Sequence, residues 1–409
     1  MVKTIVDMVK KPAFGLIFVY LVLFGPKVLG IIDFSVLINL FVIAVAFGRV
    51  KYLYKHTFPL LIFTVLLITY SLVIMIFTGT FDIIYLLKFV RVFIAILGIP
   101  TYVIISGRSV EDIIESLLKI LALHAVIIVV GATIWKDLQE ILRPLSGFAI
   151  NIHSFRSTGL TNGFDFAGVL CVFGLLLTIY RKYEKYDIFY VILFIVAGML
   201  TSRINMIVVE MTVCFLVFFK NNLRRKVSSF LKIILLVSVI PVIIIFLLTT
   251  NNAIFLLNIP IFQKIFNKIV YSYANTDILS TIKVHYSFDN LSVIEVLFGS
   301  MKDAFQDPGY TQYIYKIGVV GLVITLLFYC CIIFMVKKYE KGNEEYHILI
   351  LIIVAVCLGL SIKNSYLLAR HVTELLILVY SVYFMANEQK TMWEFKSFGG
   401  RNKEQKDVQ

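Results

Sequence analysis

The feature that most restricts this chain is a series of long apolar runs separated by short polar segments. A helix that crosses the hydrocarbon core of a bilayer needs about 20 mostly apolar residues. Composition agrees, because 60% of the 409 residues are apolar and only 15% are charged. A typical soluble domain is about 45–50% apolar and about 25% charged. A soluble enzyme, a disordered chain and a fibrous protein are therefore excluded, and an all-α polytopic membrane protein remains.

The runs predict about twelve transmembrane helices. The first is interpreted as an uncleaved span, because Pro26 and Lys27 follow it and no small-residue cleavage site does. The predicted spans are 13–25, 34–48, 58–78, 83–106, 116–135, 162–180, 187–201, 204–219, 229–249, 310–336, 347–362 and 366–386.

The distribution of Lys and Arg predicts the orientation. With both termini in the cytoplasm, 24 of the 38 basic residues fall on the cytoplasmic side and 11 on the outer side. Cytoplasmic loops of membrane proteins collect basic residues, so this orientation is favoured over its reverse.

This topology predicts one membrane domain over residues 1–409 with two large outer loops. They span residues 136–161 and 250–309, and a polar cytoplasmic tail covers 387–409. The second loop is too long for a simple connection. Its apolar residues at helical spacing predict helices on the membrane surface or on the bundle: Phe262, Ile265, Ile269, Leu291, Ile294, Leu297 and Phe298.

The net charge of +13 does not indicate a nucleic-acid partner, because the basic residues are scattered between apolar runs. The five cysteines lie inside apolar runs without metal-site spacing and are interpreted as small core residues. We expect no metal and no cofactor.

Arg156 and Arg203 are the leading candidates for chemistry. Arg156 opens a turn rich in small polar residues, and Arg203 lies in the predicted outer turn Thr201-Ser202-Arg203. The guanidinium fork suits phosphate oxygens. The alternative for each is a side chain that only contacts lipid headgroups.

Charged residues inside the predicted spans form a second candidate set, since a charge there is costly. Lys88 and Arg91 lie one turn apart, and Arg370 and Glu374 share a face of the last span. One interpretation is an Arg370–Glu374 ion pair of structural value. The other is a positive cavity, deepened by Arg91 or Arg370, for an anionic headgroup.

The second outer loop carries possible general bases for a hydroxyl, namely His285, Asp289 and Asp307. For each alone, a surface or hydrogen-bonding role is the simpler interpretation. Asp307-Pro308 leads into Tyr310, a candidate substrate contact, and then into Gly318-Val319-Val320-Gly321. A GxxG in a spanning helix ordinarily indicates close helix packing.

Three stretches resemble motifs of the Wzy-type O-antigen polymerases, within the O-antigen ligase and polymerase superfamily. They are Arg156-Ser157-Thr158-Gly159 with Gly168, the turn Thr201-Ser202-Arg203, and Asp307-Pro308 followed after nine residues by Gly318-Val319-Val320-Gly321. The last has the spacing of a superfamily motif that begins with His, and Asp307 stands at that position. Pro308 is unusual for the motif.

The resemblance implies a GT-C-like glycosyltransferase on the periplasmic face of a bacterial inner membrane, active in lipopolysaccharide biosynthesis. It would transfer a glycan from undecaprenyl pyrophosphate onto a second lipid-linked repeat unit, without a metal. Arg156 and Arg203 would stabilise the leaving pyrophosphate. Asp307 or His285 would act as base, and Lys88, Arg91, Arg370 and Tyr310 would bind substrate. A Wzz-type chain-length regulator is a possible partner.

Two alternatives stay open. An O-antigen ligase belongs to the same superfamily but more often has His where Asp307 stands. A flippase for lipid-linked oligosaccharides has a similar number of spans, although transporters usually consist of two related halves, and no such pairing is visible.

Overall fold

The structure is a computed structural model. It describes residues 7–28, 32–46, 54–135, 137–146, 157–161, 163–180, 187–201, 288, 290–304, 309–338, 344–362 and 364–385. The described residues belong to one compact unit. Predicted spans 204–219 and 229–249, and the residues Phe262, Ile265 and Ile269, lie outside them.

The described part is all-helical apart from one antiparallel hairpin of two-residue strands, β1 (Lys27–Val28) and β2 (Ile32–Asp33). The helices, in chain order, are α1 (Pro12–Phe24), α2 (Phe34–Val45), α3 (Tyr54–Thr78), α4 (Ile83–Ile105), α5 (Val110–Thr133), α6 (Leu138–Ser146), α7 (Phe164–Tyr180), α8 (Asp187–Met199), α9 (Val293–Phe298), α10 (Gly309–Lys338), α11 (Glu344–Leu360) and α12 (Val372–Met385).

Four of these helices, α3, α4, α5 and α10, are long and apolar enough to cross a membrane by themselves. Six others, α1, α2, α7, α8, α11 and α12, are shorter apolar helices. The protein is therefore a helical membrane protein. In the second predicted outer loop, α9 confirms a helix, and its Ile294, Leu297 and Phe298 side chains are exposed.

Local sequence fixes several helix starts. Pro12 occupies the first turn of α1, where a missing N–H costs nothing. Asp33 caps α2 by accepting from the Ser35 backbone N–H at 2.9 Å, and Asp82 caps α4 through the Tyr85 N–H at 2.9 Å. A Ser109–Asp112 capping box starts α5.

Helices α7 and α12 are the most deeply buried helices of the described part. Leu375 and Tyr383 of α12 and Phe173 of α7 are fully buried. By contrast, α3 exposes Ile62 and Leu66 among other apolar side chains. In a membrane protein an exposed apolar face of this kind is the face for lipid.

Tertiary hydrogen bonds join several helix ends at one end of the bundle, which we call the hairpin end. There α1, α5, α8 and α11 finish, and α2, α4, α7, α10 and α12 begin. The opposite end carries the starts of α1 and α5 and the finish of α4.

Candidate functional site

Several charged side chains lie at the hairpin end, in or beside the apolar helices. Arg370, directly before α12, reaches the hairpin and donates to the Asp33 carboxylate at 2.9 Å and to the Gly25 carbonyl. Arg370 is 9% exposed. Asp33 therefore serves both as the cap of α2 and as the counterion of a buried guanidinium.

Glu374 is paired with Arg91. The Arg91 Nε and the Glu374 Oε1 lie 2.8 Å apart, and the Arg91 Nη2 donates to the Leu368 carbonyl at 3.0 Å. Glu374 is fully buried. Of the two interpretations offered by the sequence, the Arg370–Glu374 ion pair is wrong, because Arg370 precedes α12 and pairs with Asp33, whereas Glu374 pairs with Arg91 of α4.

The segment 366–371 that carries Arg370 is buried although it is not helical. Leu368 and His371 have positive φ angles of 49° and 73°. Side chains of α10 hold its backbone: Tyr329 accepts from the Leu368 N–H at 3.0 Å, and the Tyr313 hydroxyl donates to the Leu367 carbonyl. Irregular backbone within a membrane protein is tolerated where protein groups satisfy it in this way.

Lys88 differs from the two arginines. Its ammonium lies over the Tyr313 ring, 4.5 Å from the centroid, and 5.4 Å from that of Tyr85. Among the described residues it forms no ion pair with a carboxylate. The side chain is half-buried. This cation rests on aromatic faces and keeps donors available for an anion.

Lys27 adds charge at the same end. This residue lies in the hairpin and is half-buried. Burial, followed by the nearby positive charge of Arg370, lowers its pKa below the usual lysine value. The hairpin end therefore carries several cations, of which Lys88 pairs with no described carboxylate.

Helix α10 is interrupted at Gly318, where φ is 66° and ψ is −178°. The interruption exposes the carbonyls of Tyr315 and Lys316, which accept from the N–H groups of Ser300 and Met301 at 3.1 Å each. A Cβ at Gly318 would lie 2.4 Å from the Gly299 backbone nitrogen. The expectation that this GxxG packs one helix against another is wrong at Gly318. There the glycine instead allows a loop segment to dock against the interrupted helix.

Lys316 ties the docked segment to α4. Its ammonium lies 2.7 Å from Asp82 and 2.5 Å from Asp303, and it donates to the Met301 carbonyl at 3.2 Å. Asp82 caps α4, so one lysine joins α4, α10 and the loop that precedes α10. Tyr310 also joins helices, because its hydroxyl donates to the Leu358 carbonyl of α11 at 2.7 Å.

The turn over residues 157–161 is buried and tightly held. The Ser157 N–H donates to the Leu200 carbonyl at 3.3 Å, just after the end of α8. His124 of α5 accepts from the Leu160 N–H at Nδ1, 3.1 Å, and its Nε2 lies 3.4 Å from the Ala167 carbonyl. Because Nδ1 is an acceptor, the proton belongs on Nε2.

Gly159 is required in this turn. Its φ is +54°, and a Cβ there would lie 2.7 Å from the His124 ring. The small residues of the sequence motif therefore let the turn pack directly on α5. A positive φ with no space for a side chain gives a physical reason for glycine at this position.

The predicted site residues fall into two groups. Lys88, Arg91, Arg370 and Tyr310 are described, and the first three lie at the hairpin end as buried or half-buried cations. Arg156, Arg203, His285 and Asp307 lie outside the described residues, as does Asp289. The described turn 157–161 follows Arg156 in the chain, and Leu200 precedes Arg203 by three residues.

Sequence reasoning missed His124, Tyr313 and Lys316. A histidine or tyrosine within an apolar run gives no signal for a partner 36 or 54 residues away. For Lys316, the signal in the sequence was a charged residue near the start of a predicted span. Among the described residues, no group of three or more His, Cys, Asp or Glu side chains could hold a metal ion.

Comparisons with known proteins add no family assignment. No protein-family model matches the chain, and no curated protein matches it.

Proposed function

We propose that the protein is a membrane glycosyltransferase of the O-antigen polymerase type. It transfers a growing glycan from undecaprenyl pyrophosphate onto a lipid-linked repeat unit at the outer face of a bacterial inner membrane. Twelve spans, a GT-C-like arrangement, cytoplasmic termini and a chain-length regulator as partner are parts of this proposal.

The supporting observation is the grouping of polar elements at the hairpin end. The hydrogen bond from Ser157 to Leu200 joins the first motif to the residue directly before the second, and the proposal uses the arginine of each motif. Lys88, a cation resting on aromatic rings, is at the same end. A lipid-anchored pyrophosphate requires positive groups at one membrane boundary, and this grouping suits that substrate.

The reaction would proceed as a substitution at the anomeric carbon. The acceptor hydroxyl oxygen forms a bond to this carbon, and the bond to the pyrophosphate oxygen breaks with its electrons. Undecaprenyl pyrophosphate leaves, and the hydroxyl proton passes to a base, for which Asp307 or His285 is proposed. Arg156 and Arg203 stabilise the negative charge that develops on the leaving oxygen, so the proposal needs no metal.

A flippase for lipid-linked oligosaccharides is the second candidate, and one observation favours it. Helix α10 is broken at Gly318, and broken helices often form the central substrate sites of transporters. A ligase remains the nearest alternative in chemistry, and only Asp307 in place of a histidine argues against it.

The decisive variants are Arg156→Ala and Arg203→Ala in a strain that lacks the gene. Each is expected to abolish long-chain surface glycan, because a charged contact to the leaving group is lost, while the amount of protein in the membrane stays normal. Lys at either position should restore little activity, since it lacks the bidentate fork. Arg143→Ala, in the same predicted loop as Arg156, is the matched control and should leave the glycan unchanged.

The deletion strain separates the candidates. Core carrying a single repeat, with the ladder of longer chains lost, supports the polymerase. Bare core would contradict it and indicate ligation or export. Full complementation by both alanine variants would refute the pyrophosphate-binding role of the two arginines.

A further inference from the structure

A cavity of about 530 Å³ lies at the opposite end of the bundle from the candidate site. It lies between the start of α1, the finish of α4 and the start of α5. Since α4 and α5 are both long enough to cross the bilayer, the cavity is at the depth of lipid headgroups. Leu16 contributes an apolar wall, and its neighbour Ile17 is 53% exposed.

Three cations from different elements line this cavity. Lys10 precedes α1, Arg108 lies in the α4–α5 turn, and Lys119 lies on α5. The Arg108 guanidinium is fixed in place, because its Nη2 donates to the Asp112 carbonyl at 3.1 Å and its Nη1 packs on Gly15. Lys10 is exposed and forms no ion pair with a described carboxylate.

Two carboxylates line the same cavity. Asp112 belongs to the capping box of α5, so the N-terminus of this helix is already satisfied and is not itself an anion site. Glu115 lies 3.2 Å from Lys119, and its side chain is 32% exposed. The lining therefore carries both cations and carboxylates within one cavity. A purely anionic ligand would match only the cations, whereas a headgroup with both charges matches both.

We propose that this cavity binds the phosphoethanolamine headgroup of a membrane lipid. The phosphodiester lies against Lys10 and Arg108, and the primary ammonium donates to the Glu115 carboxylate. The acyl chains leave along the apolar surface beside Leu16. A quaternary ammonium lacks the N–H donors, and a glycerol headgroup lacks the cation, so the site selects a primary amine.

The test measures lipid binding to the purified full-length protein by native mass spectrometry. Phosphatidylethanolamine, phosphatidylcholine and phosphatidylglycerol with the same acyl chains are compared, with inorganic phosphate as a competitor. We expect phosphatidylethanolamine to bind about tenfold more tightly than the other two lipids, because it alone forms charge-assisted bonds at both ends. Inorganic phosphate should displace little of it.

Two variants assign the contacts. Glu115→Gln should reduce phosphatidylethanolamine to the level of phosphatidylcholine, and Lys10→Gln should weaken all three lipids. The controls Glu111→Gln and Lys11→Gln change neighbouring exposed residues that do not line the cavity, and they should bind as the parent does.

Equal binding of the three lipids, or an unchanged lipid preference in Glu115→Gln, would overturn the proposal. Displacement by inorganic phosphate at similar concentration would identify a free-anion site and would also overturn it. The measurement does not depend on glycan synthesis, so its outcome is independent of the proposed activity.

Discussion

Two kinds of cation occur at the hairpin end, and they differ in how their charge is neutralised. Arg91 and Arg370 each have a carboxylate and a backbone carbonyl as partners, and the carboxylate is fully buried for Arg91 and half-buried for Arg370. Lys88 has two tyrosine rings instead. A guanidinium with all its charge matched holds helices together, whereas an ammonium on aromatic faces retains donors for a ligand. We therefore interpret Arg91 and Arg370 as structural cations, and we propose Lys88 as the one that contacts the substrate.

The largest expected effect on stability is that of breaking the Arg91–Glu374 ion pair. Arg91→Ala leaves the carboxylate of Glu374 buried without its cation, which costs about 3–5 kcal/mol. We expect a sharp fall in stability, measured as the unfolding temperature of the purified protein in detergent. The double variant Arg91→Met with Glu374→Leu removes both charges and should recover most of the stability. If Arg91→Ala alone is as stable as the parent, the structural role of this arginine is refuted.

An intermediate effect on stability is expected at Gly318, where α10 is interrupted five residues after the Tyr313 that lies under Lys88. Gly318→Ala places a side chain at a φ of 66° and against the Gly299 backbone, at a cost of roughly 2–3 kcal/mol. Gly359→Ala in α11 is the matched control, because a Cβ there meets nothing within 4 Å. The control should be neutral or slightly stabilising in the same unfolding assay. Equal behaviour of the two variants would show that the break in α10 does not require glycine.

The smallest effect on stability is expected for Lys88→Met. The substitution removes a cation–π contact but also a half-buried charge, so the free energy of unfolding should change by less than about 1 kcal/mol. Glycan chain length should nevertheless fall, because the proposal gives Lys88 a contact with the substrate. Lys337→Met, at the far end of α10, is the control for loss of a lysine. A large loss of stability with normal glycan would contradict a role of Lys88 in substrate binding and show that it is a structural cation, as Arg91 and Arg370 are.

Sequence patterns predicted much of the fold but little of the side-chain pairing at the site. The predicted span 83–106 corresponds to α4 (Ile83–Ile105), since a long apolar run has one stable state in a bilayer. The interpretation that Glu374 pairs with Arg370 is wrong because four-residue spacing assumes a continuous helix, and Arg370 lies before α12. Likewise, the spacing of Gly318 and Gly321 did not reveal that the helix breaks, because the docked segment comes from a separate part of the chain.

The sequence by itself determined that this is a helical membrane protein, because only helices satisfy the backbone of such apolar runs in lipid. It could not determine which helices are buried and which face the lipid. α3 and α12 are both apolar, yet α3 exposes Ile62 and Leu66, whereas Leu375 and Tyr383 of α12 are buried. Lipid and protein interior are equally apolar, so hydrophobicity does not distinguish a lipid-facing surface from a buried one. Tertiary packing alone decided this, and with it which cations received a carboxylate.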